Sequence, residues 1–370
     1  MSESDLLLIP GPIMVSSGVR EAMGIQSLAH TSPEFIKIFQ QVLQKLRKVF
    51  QSTNPSDQPI VLSGSGTLGW DIAGTNLVSS GDNVLTVSTG FFSDSFAQCL
   101  ESYGTNVDVL KSEPGKVVPL EKIESQLKSK TYQVITLTQV DTSTATLLDV
   151  ASVAKLVQKV SPQTFIVVDG VCSIGCEEFK FSEWGIDYVL TASQKALGVP
   201  SGLSVSLISE RALKYELNKK STQGFFTNLK RWTPIMQAYE AGQGQYFATP
   251  SIQLVNALNV SLGEILDYGL DARVAKHKQT SDKFKQSLKD LGLTLVSDDA
   301  CSAHGLTAVY VENPGHVIQT LKSANGIVIA GGILPEIKSK YIRVGHMGIS
   351  ATDDSLHHID NVLTAIKNAI

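Results

Sequence analysis

The chain has 370 residues, 42% of them hydrophobic and 18% charged, and its formal net charge is −4. This composition is typical of a globular protein with enough core for one large and one smaller domain. Acidic and basic residues are interspersed and no apolar run approaches the roughly 20 residues of a membrane span, so nucleic-acid and membrane partners are not expected.

The cysteines and the two ends of the sequence indicate where in the cell the protein is expected. The four cysteines, Cys99, Cys172, Cys176 and Cys301, have neither a short-range disulfide pattern nor the paired spacing of a zinc site, so no metal is expected. Cys172 and Cys176 are expected to be small buried residues. The first five residues are acidic rather than arginine-rich, and the last three do not match a peroxisomal address. A cytoplasmic location is the default expectation, with organelle targeting left open.

The chain opens with an extended segment. Residues 6–12 read Leu-Leu-Leu-Ile-Pro-Gly-Pro, and each proline biases the preceding residue away from helix. We therefore expect an N-terminal arm, residues 1–18, that lies against the following domain. The pattern Thr31-x-x-Glu34, with Pro33 early in the helix, predicts a helix start. Apolar residues then recur at helical spacing: Phe35, Ile38, Phe39, Val42, Leu43, Leu46 and Val49.

A glycine motif, Gly64-x-Gly66-x-x-Gly69, follows a predicted strand at 58–63 and matches the dinucleotide fingerprint literally. A dinucleotide-binding unit also needs an acidic residue at the end of its second strand, but the strand at 84–87 runs into Ser-Thr-Gly. We interpret the glycines as a phosphate cradle, in which backbone amides open a helix and meet an anion. Those amides belong to Ser65, Gly66 and Thr67.

Strands and helices alternate from residue 58 to residue 208, which predicts an α/β fold with a mostly parallel sheet of about seven strands. We place the large domain at residues 19–255 and a smaller C-terminal α/β domain at residues 256–370. The smaller domain should follow a helical region at 251–292. Its strands are predicted near 293–296, 306–311, 326–329 and 341–344.

Two strand ends carry the residues that suggest chemistry. A continuous apolar run, 164–168, is typical of a strand buried on both faces and ends at Asp169. Lys195 follows another strand, predicted at 186–190, and a run of turn formers comes after it. Desolvation lowers the pKa of a lysine and makes it a nucleophile that can form a Schiff base with a carbonyl. Ligands of parallel sheets lie beyond the carboxyl ends of the strands, so Asp169 and Lys195 together predict a pyridoxal phosphate site.

Four ordered motifs resemble one family. They read LIPGP at 8–12, VVDGVCSIG at 167–175, TASQKALGVPSG at 191–202 and YIRVGHMG at 341–348. Together they look like the class V, fold-type I aminotransferases, over nearly the whole chain, and most closely like fungal members that transfer the amino group of alanine to glyoxylate. The family usually has glycine where this chain has Ala145, a departure in the loop that carries Thr142.

The resemblance implies pyridoxal 5'-phosphate as cofactor and assigns roles by position. Lys195 would form the Schiff base and move the proton, with Asp169 beside the ring nitrogen. Two residues would contact the substrate. They are Gly11 in the arm and Arg343 in a strand, and Arg343 would bind the carboxylate of the substrate. His30 would face the substrate pocket or cap a turn. The implied cofactor-binding residues are Ser65, Gly66, Thr67, Phe92 as the stacking ring, Thr142 (or its neighbour Ser143), Asp169, Ser173, Gln194, Lys195, Tyr246 and Thr249.

Tyr246 and Thr249 close an irregular segment at 221–250. In the resembling family such residues reach the phosphate of the neighbouring subunit, which implies a homodimer with composite sites. The implied reaction converts L-alanine and glyoxylate into pyruvate and glycine by a ping-pong route. Serine as donor, with pyruvate or glyoxylate as acceptor, is a close rival. Less favoured are a cysteine desulfurase using Cys301, a nicotinamide-dependent dehydrogenase and a non-catalytic cofactor binder.

Overall fold

The computed structural model describes residues 5–220 and 222–370. The strands are β1 (Leu6–Leu7), β2 (Gln58–Ser63), β3 (Asn83–Ser88), β4 (Asn106–Lys111), β5 (Val134–Thr138), β6 (Val140–Asp141), β7 (Thr146–Leu147), β8 (Phe165–Asp169), β9 (Tyr188–Ala192), β10 (Leu203–Ile208), β11 (Leu306–Tyr310), β12 (Ile327–Val328), β13 (Ala330–Gly331) and β14 (Tyr341–Gly345). The helices are α1 (Ser17–Met23), α2 (Pro33–Val49), α3 (Gly66–Leu77), α4 (Phe91–Ser102), α5 (Leu120–Ser129), α6 (Val150–Val160), α7 (Glu210–Asn218), α8 (Leu229–Glu240), α9 (Ile252–Tyr268), α10 (Leu270–Asp290), α11 (Pro314–Asn325), α12 (Ile349–Thr352) and α13 (His358–Ala369). In these described stretches, no helix is both long and apolar enough to cross a membrane.

A seven-stranded sheet forms the centre of the fold, in the order β2-β10-β9-β8-β5-β3-β4. Strand β10 is antiparallel to β9 and β2, and the other pairings are parallel. Every residue of β5, β8, β9 and β10 is buried. Because successive side chains of a strand point to opposite faces, both faces of the sheet are covered. The prediction of an α/β fold with a mostly parallel sheet of about seven strands is confirmed.

Helix starts follow the capping rule, with one correction. The hydroxyl of Ser32 accepts a hydrogen bond from the backbone N–H of Phe35 at 3.2 Å, so Ser32 caps α2 and not Thr31, as the sequence pattern suggested. The capping box was therefore placed one residue too early. Helix α6 begins after Asp149, whose carboxylate accepts from the N–H of Ser152 at 3.0 Å.

A second core lies in the C-terminal part of the chain, around a three-stranded antiparallel sheet in the order β11-β14-β13. The strand predicted near 293–296 is reduced to one isolated bridge between Leu295 and Val309. The chain turns away after Val296 because Ser297 and Asp298 pack over Gly115, whose carbonyl accepts from the N–H of Asp298 at 2.9 Å.

The two cores meet near α9 and α10. The larger hydrophobic cluster includes α9 as far as Ile265, whereas Phe284 and Leu288 of α10 belong to the second cluster. The predicted boundary at 255 falls inside α9, and the division into domains stays a prediction. At the N-terminus, β1 pairs in parallel with β12, so the predicted arm is attached to the C-terminal part of the fold.

Ala145 has a left-handed backbone conformation, with φ of 59°, and its side chain is buried. Glycine adopts this conformation freely, whereas other residues lose roughly 1–2 kcal/mol. We expect Ala145→Gly to change the free energy of unfolding by less than about 1 kcal/mol, because relief of strain offsets the lost methyl group and the greater unfolded-state entropy. Ala145→Val should cost about 2–3 kcal/mol, since a β-branched side chain is poorly tolerated there.

Urea unfolding of the two variants checks this prediction. The matched control is Ala154→Gly, at a fully buried alanine of α6, where glycine should cost about 1 kcal/mol or more. Equal losses for Ala145→Gly and Ala154→Gly would contradict the strain at Ala145.

Candidate active site

A cleft lies where the carboxyl ends of neighbouring parallel strands meet. Asp169 is the last residue of β8, Thr138 of β5 is its register partner, and Lys195 follows β9 by three residues. The predicted site residues that line the cleft are Ser65, Gly66, Thr67, Phe92, Thr142, Asp169, Gln194 and Lys195. The lining also includes Trp70, Thr138, Val140, Val171 and Cys172.

Asp169 is a buried carboxylate with two hydrogen-bond donors. Its Oδ2 accepts from the indole Nε1 of Trp70 at 2.8 Å, and its Oδ1 accepts from the N–H of Val171 at 2.9 Å. Burial raises the pKa of Asp169 to about 6, although the two hydrogen bonds oppose that rise. Above this pH the side chain is an anion at the floor of the cleft, as the role beside a ring nitrogen requires.

Trp70 is the site residue that sequence reasoning missed. It lies on α3 four residues after Gly66, on the same face of the helix, and its indole stacks on Phe96 with ring centroids 5.3 Å apart. The signal available in the sequence was its spacing from the glycine motif, which places it one turn below the helix start. Its polar N–H therefore reaches the end of β8.

The start of α3 has the geometry of an anion site. Ser65 precedes the helix with an extended backbone and its side chain makes no capping hydrogen bond. The first N–H groups of a helix have no partner within it, and the helix dipole favours negative charge there. A Cβ on Gly66 would lie 2.8 Å from Val171 and a Cβ on Gly69 would lie 2.7 Å from Leu190, so the glycines permit α3 to approach β8 and β9 closely.

Lys195 lies under the N-terminal arm. Its Nζ donates a hydrogen bond to the backbone carbonyl of Pro10. Gly11 has a φ of 100°, and a Cβ there would lie 2.8 Å from Lys195 Nζ. A side chain at position 11 would therefore be strained by this backbone conformation and would displace the end of the Lys195 side chain, and the arm covers the amine directly.

The wall carrying Phe92 is held by Asp141. The carboxylate of Asp141 accepts from the N–H of Phe92 at 3.1 Å, which fixes the first turn of α4. Ser143 donates its hydroxyl to Asp141 at 2.6 Å and accepts from the N–H of Phe91 at 2.9 Å. Thr142 lines the cleft, whereas Ser143 faces the helix start, so the geometry favours Thr142 between these two neighbours.

Gln194 and Ser173 differ in their relation to the cleft. Gln194 lines it, and its Oε1 is buried without a hydrogen-bond partner among the residues that the structure describes. Ser173 is fully buried and its hydroxyl likewise has no partner there, but the residue lies outside the lining. A polar ligand in the cleft would supply the partner that Gln194 lacks.

Arg343 is a buried cation beside the cleft, with 8% of its surface exposed. Its Nε donates to the carbonyl of Gly331 at 2.7 Å and its Nη1 donates to the carbonyl of Thr142 at 3.3 Å. Burial lowers the pKa of the guanidinium. Within residues 5–220 and 222–370 it has no carboxylate partner, so an incoming anion would supply the missing charge.

Four more residues singled out in the sequence, in addition to Ser173, lie away from this cleft. Tyr246 is 60% exposed, its hydroxyl lies 3.4 Å from that of Thr249, and its ring lies 4.8 Å from the ring of His30. None of these three lines the cleft in its own chain. Cys301 is buried with its thiol directed at the carbonyl of Gly115, and burial raises its pKa, as is unfavourable for a nucleophile.

These features fit pyridoxal 5'-phosphate. The cofactor needs an amine for its aldehyde, an anion for its ring nitrogen, N–H donors for its phosphate and a surface for its ring. Lys195, Asp169, the start of α3 and Phe92 provide one each, and the unpartnered Gln194 Oε1 marks a polar ligand position. The fold and the cleft thus define an enzyme of the fold-type I class that uses pyridoxal phosphate.

Comparison with known proteins narrows this class. The model of the family "Aminotransferase class-V" matches residues 19–337. The chain is 54% identical to alanine–glyoxylate aminotransferase 1 of Saccharomyces cerevisiae, over 99% of this chain and 98% of the relative, and 29% identical to serine–glyoxylate aminotransferase of Arabidopsis thaliana, over 92% and 85%. A crystal structure of alanine–glyoxylate aminotransferase from Nostoc sp. superposes with a TM-score of 0.92 at 26% identity, covering 100% of this chain and 96% of that one. The chain belongs to the class-V aminotransferase family.

The dinucleotide interpretation of the glycine motif fails on topology as well. In a dinucleotide-binding sheet, the glycine loop follows a strand in the middle of a parallel sheet. Here β2 is an edge strand whose neighbour, β10, runs antiparallel to it. In the same described residues, no three histidine, cysteine or acidic side chains are grouped to hold a metal ion.

We expect Trp70→Phe to remove one of the two donors to Asp169 while retaining the stack on Phe96. An unsatisfied buried carboxylate oxygen should lower the free energy of unfolding of the cofactor-free protein by about 1–3 kcal/mol at pH 8. The donor stabilises the charged form, so without it the pKa of Asp169 rises further. The loss is therefore full above that higher pKa of the variant, shrinks as the pH falls from there, and is largely gone below about 6, where the carboxyl is protonated with or without the donor.

Urea unfolding at pH 8 and pH 5 measures both parts of this prediction. Trp184→Phe is the control, because the Trp184 indole packs edge-on against Phe179 away from the carboxylate. A loss that is equal at both pH values, or equal in the control, would show that Trp70 acts through packing alone.

Proposed function

We propose that this enzyme transfers the amino group of L-alanine to glyoxylate, giving pyruvate and glycine. The close approach of Gly11 to Lys195 carries the proposal, because it leaves little room beside the amine and favours substrates with small side chains. The 54% identity to the yeast alanine–glyoxylate aminotransferase supports it, against 29% to the plant enzyme named for serine.

Arg343 would hold the substrate. Its Nε and one Nη1 hydrogen are engaged by backbone carbonyls, which leaves the Nη1–Nη2 edge for a carboxylate. Alanine and glyoxylate both carry a carboxylate one bond from the reacting carbon. The same side chain therefore orients donor and acceptor in turn, as a ping-pong cycle requires.

Lys195 would move the proton. When bound, pyridoxal phosphate supplies a ring that accepts the electrons left when the α proton of the substrate is removed. Lys195 Nζ would take that proton from the α carbon and release it again, acting as general base and then as general acid. Asp169 would place negative charge beside the ring nitrogen and so favour the protonated form of that nitrogen. The arm at Pro10 and Gly11 limits access of water to the amine.

Serine remains the second candidate donor, because it differs from alanine by one hydroxyl group and an apolar pocket rejects a hydroxyl weakly. Desulfuration is disfavoured by the position of Cys301, whose thiol is buried against Gly115 instead of facing Lys195. The structure of a cysteine desulfurase from Thermococcus onnurineus that superposes on this chain is 13% identical and shares the fold alone.

A homodimer with composite sites belongs to the same proposal. Tyr246 and Thr249 are exposed on their own chain and lie outside its cleft. They adjoin an aromatic surface formed by Phe225, Phe226 and Phe247. Phe225 is 64% exposed, and the guanidinium carbon of Arg231 lies 4.0 Å from the centre of its ring. Aromatic and arginine side chains of this kind are enriched at protein interfaces.

Steady-state assays with the loaded enzyme test the function. We expect alanine with glyoxylate to give the highest kcat/KM, with serine lower by about tenfold or more and only weak use of larger amino acids. Lys195→Ala should abolish turnover while it retains the far-UV CD spectrum of the wild type. A higher kcat/KM for serine than for alanine would replace the donor proposed here.

Arg343→Lys retains the charge but loses the planar fork. We expect kcat/KM for alanine and for glyoxylate to fall together by the equivalent of about 1–3 kcal/mol, because both present the same carboxylate. Cofactor affinity, measured by fluorescence titration, should be unchanged. An effect on one half-reaction alone, or loss of the cofactor, would assign the carboxylate to another residue.

Hybrid dimers test the composite site. Lys195→Ala protein should be inactive and Tyr246→Phe/Thr249→Ala protein weakly active. Mixing them should restore part of the activity, because one site of each hybrid would combine intact residues from both chains. Mixing Lys195→Ala with Asp169→Asn serves as the control, since both of those residues belong to one chain's cleft. Equal recovery in the two mixtures, or none after proven subunit exchange, would refute a composite site.

A further inference from the structure

Arg273 is a buried arginine that neither the cleft nor the sheet explains. It lies in the first turn of α10 with 7% of its surface exposed. In the part of the chain that the structure describes, it has no carboxylate within ion-pair distance. A buried charge without a counter-ion is costly, and the hydrogen bonds of the guanidinium show which groups it holds in place.

The donors of Arg273 point to two backbone carbonyls. Its Nε donates to Gly175 at 2.9 Å and its Nη2 donates to Ala196 at 3.0 Å. Ala196 directly follows Lys195, and Gly175 lies in the loop that begins after Asp169. The guanidinium therefore connects the loops that follow β8 and β9, the two strands that deliver the catalytic pair.

The two loops also touch each other beneath the guanidinium. Gly175 has a φ of 94°, and a Cβ there would lie 3.2 Å from the carbonyl oxygen of Ala196. Ser261 of α9 donates its hydroxyl to the carbonyl of Leu197, one residue further on. Carbonyls of the Lys195 turn are thus held from α9 and from α10, and Arg273 is the group that joins this turn to the Asp169 loop.

His277 lies one turn after Arg273 in α10 and links this helix to the loop that follows the strand of Arg343. Its Nδ1 lies 2.8 Å from the carbonyl oxygen of Arg273, and its Nε2 accepts from the N–H of Gly348 at 3.0 Å. A carbonyl only accepts and an N–H only donates, so this histidine is neutral with its proton on Nδ1. Gly348 belongs to the loop after β14, the strand that carries Arg343.

We propose that Arg273 is a positioning residue for transamination, which fixes Lys195 relative to Asp169 by binding the carbonyls of Ala196 and Gly175 at once. This inference rests on the function proposed above. The planar fork of arginine can satisfy two carbonyls in a fixed geometry, whereas an ammonium group holds them less rigidly. A displacement of Lys195 by a fraction of an ångström would misalign the amine with the atoms between which it moves the proton.

Arg211 provides a control at the opposite, amino-terminal ends of the same strands. It donates to the carbonyls of Pro162 at 2.6 Å and Thr164 at 3.2 Å, and it pairs with Asp187 just before β9 begins. Arg211→Lys therefore disturbs the start of the strand that leads to Lys195, without touching its catalytic end. The two variants are compared at assay temperatures chosen so that each has lost the same free energy of unfolding. A difference in kcat between them then reflects the position of Lys195 and not the stability of the fold.

The test compares Arg273→Lys with Arg211→Lys as loaded enzymes. We expect kcat for alanine and glyoxylate to fall about tenfold or more in Arg273→Lys, with KM changed less, and to stay within about twofold in Arg211→Lys. Without substrate, the midpoint of the pH titration of the cofactor's visible absorption band should shift in Arg273→Lys alone, because that band reports the surroundings of Lys195. Equal kcat values and an unshifted midpoint in both variants would overturn the proposal.

If Arg273→Lys does not fold, Arg273→Gln takes its place, since the amide removes the buried charge and still donates to one carbonyl. The same shift and loss of kcat support the proposal, and wild-type values overturn it. The pH midpoint is measured without substrate, so it tests Arg273 even if alanine and glyoxylate prove to be the wrong pair. An inactive wild type with a shifted midpoint in the variant would refute the proposed substrates only.

Discussion

The buried carboxylate of Asp169 is the constraint on which the rest of the site depends. A charge at the end of a covered strand is unfavourable, and the hydrogen bonds from Trp70 and Val171 offset part of that cost. Trp70 reaches the carboxylate only because α3 lies close to β8 and β9, which in turn requires glycine at 66 and 69. The same close approach directs the first N–H groups of α3 into the cleft. One packing contact therefore sets both the position of the buried anion and the direction of the free N–H groups at the start of α3.

Much of this arrangement could be predicted from the sequence. Continuous apolar runs identify strands covered on both faces, and the carboxyl ends of parallel strands meet at one edge, so Asp169 and Lys195 had to lie close together. The cradle followed from a glycine motif without the acidic partner of a dinucleotide site. These inferences use local patterns and a rule about sheet edges. They need no knowledge of which side chains touch.

Contacts between distant parts of the chain could not be predicted in this way. Trp70 and Asp169 are 99 positions apart, and Arg273 and Gly175 are 98 apart, so only the packed fold brings each pair together. The pattern around Thr142 and Ser143 allowed either hydroxyl to enter the cleft, and the choice depends on Asp141, which engages Ser143 to fix α4. The strand expected near Leu295 has the apolar residues of a strand, but the chain bends over Gly115 and leaves a single bridge.

The N-terminal arm contacts both the C-terminal part of the fold and the Lys195 side chain. Leu6 and Leu7 extend the C-terminal part of the fold by pairing with β12, and the carbonyl of Leu8 accepts from the N–H of Gly345 at the end of β14. Three residues later, Gly11 rests against the Lys195 side chain. The segment of the arm that covers the amine is thus hydrogen-bonded to the strand that carries Arg343. A shift of β14 would therefore be transmitted through the Leu8 contact to the position of Gly11 above Lys195.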